Sequence, residues 1–346
     1  MKRALVISGG GSKGAYAVGV LKQLKNRFPT LSFDIFVGTS TGSLIVPLAA
    51  LGELELLEEI YTTQHEGSIV RKLRIGDRLN TDSIFDANPL MNLINQHFPD
   101  ERFQKLQDTG SSIFINTTCL QTGELVVFTN NLEISPRTGY SLRKFEDGNH
   151  FRRAIMASAC QPVFMPAIQV NRDLPGNPER NLQYVDGGMR QYAGIEMAID
   201  AGAREIFTIM LSPEESEPSN KQFGTLFEIL ERTVEIFIDD VGKNDLIIPQ
   251  QYNEALSYID AVKRKMVNDG IPREDVNRYF TIRGRESPYE DKVPLKLFNI
   301  RPKKPIGGGP GGLDFHEDEM KTMVSKGISD TTNFIDNLRQ SEITWA

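Results

Sequence analysis

Cysteine is almost missing from this chain: Cys119 and Cys160 are the only two among 346 residues. Two thiols make no disulfide framework and carry no zinc-ligand spacing. A reducing compartment is the default for such a sequence. Histidine is sparse as well, at His65, His97, His150 and His316. None of the four lies in a strand-end loop punctuated by glycine. Each therefore reads as a surface or helix residue rather than a base, with His316 the strongest exception. Long apolar runs are absent too, since no stretch reaches the roughly 18 residues of a membrane span. Met1-Lys2-Arg3 opens like a secretion signal, but residues 4–7 are too few for its apolar core and run into Ser8-Gly9-Gly10-Gly11. Positive charge is in deficit. The 39 Lys and Arg against 46 Asp and Glu leave a net charge of −7, which argues against a general nucleic-acid binder. The expectation is a soluble cytoplasmic protein with no nucleic-acid partner.

What is present is glycine, placed at strand ends. Residues 33–37 read as a short buried strand and 44–51 as an apolar helix. Between them, Gly38-Thr39-Ser40-Thr41-Gly42 fits G-x-S-x-G, and strand–turn–helix is the context that gives this pattern meaning. Such a turn forces its central residue into a strained backbone region and lifts the side chain above the sheet edge. A serine placed there is exposed at a helix N-terminus, where developing negative charge is favoured.

The chain opens with a similar unit. Residues 4–7 are a fully apolar strand, followed by Gly9-Gly10-Gly11-Ser12-Lys13-Gly14 and a helix bearing Tyr16, Val20, Leu21 and Leu24. The loop also matches G-x-G-x-x-G, with Asp34 about twenty residues on, as in a dinucleotide fingerprint. That reading fails on placement: the acid should end the second strand, whereas Asp34 begins the strand that leads to Ser40. Parallel pairing of the two strands would put both loops at one sheet edge, with backbone N–H donors of the glycine loop facing Ser40. An exposed serine also needs a proton acceptor. In Tyr184-Val185-Asp186-Gly187-Gly188 a carboxylate sits where a strand stops.

The remaining chain is read more coarsely. Helices are expected over 54–61, 82–97, 151–158 and 195–201, a hairpin over 111–129, and a strand over 205–211. Residues 223–269 read as mostly helical, and 279–283 and 295–301 as further strands. Gly307 to Gly312 reads as a linker-like loop, because no helix follows closely enough to use its amides. Asp314-Phe315-His316 then open a closing helix with Met320, Met323 and Val324. Arg71, Lys72, Arg74 and Arg78 form a basic cluster, read first as a solvated loop and second as a contact for anionic lipid. Trp345 reads as a lone aromatic in a frayed tail.

Four segments in order resemble the patatin-like phospholipases: the Gly9–Gly14 loop, the Ser40 elbow, Ala154-Ile155-Met156-Ala157-Ser158-Ala159 leading to Pro162 and Phe164, and Asp186-Gly187-Gly188. The resemblance implies a three-layer α/β/α fold with a mainly parallel central sheet. It implies a Ser–Asp dyad of Ser40 and Asp186, with an oxyanion hole from Gly10 and Gly11. Gly9, Lys13, Gly14, Gly38, Gly42, Gly187 and Gly188 support the motifs, and Lys13 stands where the family has a basic residue. The implied reaction is hydrolysis of fatty-acyl esters, of phospholipase A or lysophospholipase type, through an acyl-serine and without metal or cofactor. The substrate would be lipid met by peripheral contact with its surface. Residues 1–215 are then the catalytic core, and 216–346 a mostly helical extension completing the same domain. An acyltransferase or thioesterase on the same dyad, and a non-catalytic lipid-binding or storage protein, are the alternatives.

Overall fold

The structure is a computed structural model that describes residues 1–72, 83–134, 139–215, 218, 220, 222–282, 289 and 292–338. Its centre is an eight-stranded mixed sheet. β1 (Lys2–Ile7), β2 (Ile35–Thr39), β5 (Ser112–Cys119), β9 (Ala203–Ile209) and β10 (Lys296–Ile300) run parallel in the order β10-β9-β1-β2-β5. β6 (Leu125–Thr129) continues the sheet antiparallel to β5, and β7 (Tyr140–Lys144) lies parallel to β6. The short β8 (Tyr184–Asp186) pairs antiparallel with the end of β5. A separate two-stranded ribbon joins β3 (Arg71–Lys72) to β4 (Phe85–Asp86).

The apolar strand at the start of the chain is explained by burial on both faces. Leu5 and Ile7 enter one core cluster, together with Phe36, Ile113 and Ile115. Ala4 and Val6 enter the other, with Ile35, Val37 and Phe114. Helices cover each face, which makes the fold a three-layer α/β/α sandwich. On the first face lie α1 (Gly14–Arg27), α2 (Thr41–Ala50), α3 (Leu54–Thr63) and α11 (Glu317–Asp336). On the second lie α8 (Ile195–Asp200) and part of α9 (Leu226–Asn268). Between β3 and β5 come α5 (Asn88–His97) and α6 (Asp100–Asp108); α4 (Glu66–Ile69) precedes β3, and α7 (Gly148–Ala159) follows β7.

Two expected elements come out differently. The helix expected over 82–97 begins only at Asn88, because Pro89 fits only a first helical turn. Before it, the amides of Ile84 and Phe85 donate to the carbonyls of Val163 and Phe164, which holds that stretch extended. The strand expected over 279–283 does not form among its described residues: α10 (Arg273–Tyr279), entered from Pro272, runs through Tyr279, a turn follows at Phe280, and residue 283 lies outside the described residues. Arg74, Arg78 and Trp345 lie outside them as well. Sequence reading missed α6 and β7.

The last helix belongs to the first core. Met320, Met323 and Val324 of α11 join the same cluster as Tyr16, Val20 and Leu24 of α1. The two helices touch backbone to backbone. A Cβ on Gly19 would lie 2.0 Å from the Val324 carbonyl oxygen, and one on Gly327 would lie 2.2 Å from that of Tyr16. Neither neighbour can retreat as a flexible side chain would. Gly327→Ala is therefore expected to destabilise the protein by about 1–3 kcal/mol, the usual cost of overpacking. A urea denaturation curve with an unshifted midpoint would show that the two helices are not so closely apposed.

Candidate active site

One strand edge brings the candidate residues together. The first half of β5 pairs with β2, ending with Thr39 opposite Asn116. The second half pairs with β8 from the opposite direction, ending with Asp186 opposite Thr117. β2 and β8 thus meet end to end, and Ser40 and Asp186 leave them at adjacent register positions. β1 pairs parallel with β2, Ile7 opposite Gly38, so the Gly9–Gly14 loop leaves at the same edge.

Ser40 has φ 56° and ψ −126°, an unfavourable conformation for a residue with a Cβ. Hydrogen bonds on both sides hold it there. Its N–H donates to Ser158 Oγ at 3.0 Å, and Ser158 Oγ donates to the Asn116 carbonyl at 2.7 Å. Its carbonyl accepts from the Ser43 hydroxyl at 2.6 Å and the Ser43 amide at 2.9 Å. The motif glycines give the turn room. A Cβ on Gly42 would lie 2.1 Å from the Ile7 carbonyl oxygen, and one on Gly38 would lie 2.6 Å from that of Gly42. Ser158, at the end of α7, is thus the structural reason for the third matched segment.

Asp186 is 5% exposed. Burial pushes its carboxyl up to about 6, against weaker downward pulls from hydrogen bonds with the Ser40 side chain and the Gly188 amide. The Gly188 N–H donates to Oδ1 at 2.7 Å. Gly187 packs on β5, where a Cβ would lie 2.5 Å from the Asn116 carbonyl oxygen.

The glycine loop crosses in front of this pair. Gly9 lies between the Tyr192 ring and Ser40. Gly10 has φ 152° and Gly11 φ 58°, and a 3₁₀ turn over Gly11–Lys13 feeds into α1 at Gly14, which packs against Tyr61. Amides at such an entry have no intrahelical acceptor. The expected linker at Gly307 to Gly312 is instead a packed wall of the site. A Cβ on Gly11 would lie 2.1 Å from the Gly312 carbonyl oxygen, and the Gly311 N–H donates to Glu235 Oε1 at 2.7 Å. Positive φ angles at Gly307, Gly308, Gly309, Gly311 and Gly312 fold that segment onto the first loop; no sequence period announces such a contact.

Two pockets meet at Ser40. One is narrow, about 100 Å³, and apolar, lined by Leu44, Leu48, Leu57, Ile94, Met165 and Phe315 among others. The other is wider, about 460 Å³, and polar, with Lys13, Asp186, Tyr192, Arg232 and Glu235 on its walls. Burial lowers the Lys13 pKa, while Glu235 opposes that shift. His97 lines the apolar pocket, and burial lowers its pKa. His150 is buried, with Nε2 bonded to Asn171 Oδ1 at 2.9 Å. His65 is exposed, and His316 occupies the N-cap position of α11 without a side-chain capping bond. Sequence reading missed Ser158, Tyr192 and the contribution of α9. Only the match of Ala154–Ala159 to the third segment pointed toward the first.

The buried carboxyl makes a stability test. The folded pKa of Asp186, about 6, stands above the ordinary 3.8, so folding tightens proton binding. The stabilisation is complete below the unfolded pKa and is lost as pH rises through about 6. Asp186→Asn keeps an acceptor for Gly188 and carries no charge. It is expected to be more stable than the parent at about pH 8, by on the order of 2–3 kcal/mol, with the gap closing toward about pH 4. A gap independent of pH in chemical denaturation would contradict the buried charge.

One curated relative is the cUMP-AMP-activated phospholipase of Escherichia coli, 31% identical over 134 residues covering 38% of each chain. Another is the probable lipid hydrolase 463L of Invertebrate iridescent virus 6, 25% identical over 201 residues, or 57% of this chain and 63% of that one. The chain thus spans less than two thirds of the length of either relative. Among solved structures, VipD from Legionella pneumophila aligns over 97% of this chain and 66% of its own, at 13% identity and a TM-score of 0.41. Residues 5–199, more than half of the chain, match the family described as patatin-like phospholipase, and the protein belongs to that family.

Proposed function

We propose that the protein is a lipid acyl hydrolase that cleaves fatty-acyl esters with a Ser40–Asp186 dyad. The observation that carries this reading is the position of Ser40. It sits on a strained turn beside a buried carboxylate whose pKa its side chain lowers, where an apolar pocket opens into a polar one. An ester with one long apolar arm and one polar arm fits across that junction. The two named relatives, a phospholipase and a probable lipid hydrolase, support the same substrate class.

The chemistry follows from the geometry. Asp186 accepts the proton as Ser40 Oγ attacks the ester carbonyl carbon. The carbonyl oxygen gains negative charge, and the Gly10 and Gly11 amides are the donors that meet it. Collapse expels the alcohol, which takes the proton from Asp186. Water then gives a proton to Asp186 and attacks the acyl carbon, and Ser40 leaves with that proton. Desolvation at Asp186 helps, because a base works best with a pKa near the operating pH. Residues 216–346 complete the same domain in this reading. Their support is the packing of α11 on α1 and of Gly312 on the glycine loop.

Hydrolysis of vesicular phospholipid, lysophospholipid and neutral glyceride tests the reading. Ser40→Ala and Asp186→Asn are each expected to lose turnover while staying folded. Parent kcat/KM is expected to rise with pH through about 6, where Asp186 loses its proton. Substitution of the four histidines by Gln is expected to change kcat little. An inactive His316→Gln beside an active Asp186→Asn would replace the dyad by a Ser–His mechanism. Leu57→Trp, in the wall of the apolar pocket, is expected to shift preference toward shorter acyl chains. An unchanged chain-length profile would place the acyl arm elsewhere.

A further inference from the structure

Helix α9 reaches the glycine loop through one tyrosine. Asp245, midway along α9, accepts two consecutive amides through Oδ2: Tyr192 N–H at 2.6 Å and Ala193 N–H at 2.8 Å. Burial raises the carboxyl of Asp245, which these two amide bonds oppose. A partly buried carboxylate is a costly way to satisfy two amides. What it gains is a fixed peptide orientation at Tyr192.

The Tyr192 ring is then held by two glycine backbones. A Cβ on Gly242, one turn before Asp245 on α9, would lie 2.8 Å from the ring, and a Cβ on Gly9 would lie 2.9 Å from it. No other residue type fits at either contact without a shift. At the end of the ring, the Tyr192 hydroxyl donates to the Gly9 carbonyl at 2.5 Å. That carbonyl and the Gly10 N–H belong to one planar peptide unit. Holding the oxygen therefore fixes the direction of the N–H on the far side of the plane. A hydrogen bond to the carbonyl also polarises the amide, which makes its N–H a better donor.

We propose that Tyr192, seated by Asp245, is a positioning residue that aims the Gly10 amide at the oxygen which becomes negative in the transition state. The proposal rests on the Ser40 reading above. It adds that α9, which lies beyond residues 5–199, takes part in the reaction through the glycine loop. Neither Tyr192 nor Asp245 transfers a proton in this scheme.

Steady-state kinetics on the full chain tests it, with parent and Ser40→Ala run alongside to check the underlying hydrolysis. Activity in the parent that is lost in Ser40→Ala keeps the Ser40 reading intact whatever the Tyr192 and Asp245 variants do. Tyr192→Phe removes the bond to Gly9 and leaves both amide bonds to Asp245 in place. It is expected to lower kcat about tenfold with KM unchanged, less than the roughly 10²–10³ lost when such a donor is deleted outright. Asp245→Ala is expected to give a similar loss, and Asp245→Asn, which keeps an acceptor oxygen, to restore most of it. The double variant Tyr192→Phe, Asp245→Ala is expected to be no worse than its poorer single parent, as for groups acting in one chain. If Asp245→Ala does not fold, Asp245→Glu displaces the carboxylate while keeping its charge, and the same kcat loss is expected. A folded Tyr192→Phe with parental kcat overturns the proposal. So do losses from the two positions that multiply, or losses that fall on KM alone.

Discussion

The structure depends on two strands ending on the same neighbour. β2 runs up β5 and stops at Thr39; β8 runs down it and stops at Asp186. Side chains that leave a sheet at adjacent register positions, from strands of opposite direction, are forced into contact. This constraint is backbone hydrogen bonding, the most rigid means the fold has. It explains why a serine 146 residues away in sequence (186 − 40) can be held against a carboxylate without any flexible segment between them and the sheet.

Two unfavourable terms are then fixed in place. Ser40 adopts a positive φ, and Asp186 is taken out of water. Strain of the first kind costs of order 1–3 kcal/mol, and the surroundings offset it through Ser158, Asn116 and Ser43. Desolvation of the second is offset only partly, by Gly188 and Ser40, and the rest remains as a raised pKa. In the proposed mechanism both costs serve the reaction. The strained turn exposes the oxygen at a helix N-terminus, and the desolvated carboxylate is a stronger base than one in water. The glycine loop completes the arrangement only because other segments press on it: Tyr192 from one side and Gly312 from the other.

Much of this was legible in the sequence because it is local. Strand, glycine turn and helix are each written in a dozen residues, so Ser40, the Gly9–Gly14 loop and Asp186 stood out with their elements. The parallel pairing of β1 and β2 matches the expectation from two strand–loop–helix units adjacent in sequence. What was not legible is non-local. Ser158 reads as one more small residue on a helix until its hydroxyl is found under the Ser40 amide. Asp245 sits in a long amphipathic helix among many charged residues, and no spacing separates it from Asp239 or Asp240. Gly307 to Gly312 looked like a spacer because glycine runs usually are. Its task is to let two backbones touch, which depends on a partner three hundred residues away. The start of α5 was misplaced for the opposite reason: tertiary pairing with residues 163 and 164 overrode a helical apolar pattern before Pro89.

The most direct test of the central claim is covalent. A fluorophosphonate needs an activated serine and, once bound, presents its own oxygen to the same amides as the ester would. Peptide mapping after labelling of the active protein is expected to place the adduct on Ser40 alone, with Asp186→Asn unlabelled. An adduct on another serine, or equal labelling of Ser40 in Asp186→Asn, would contradict the Ser40–Asp186 dyad.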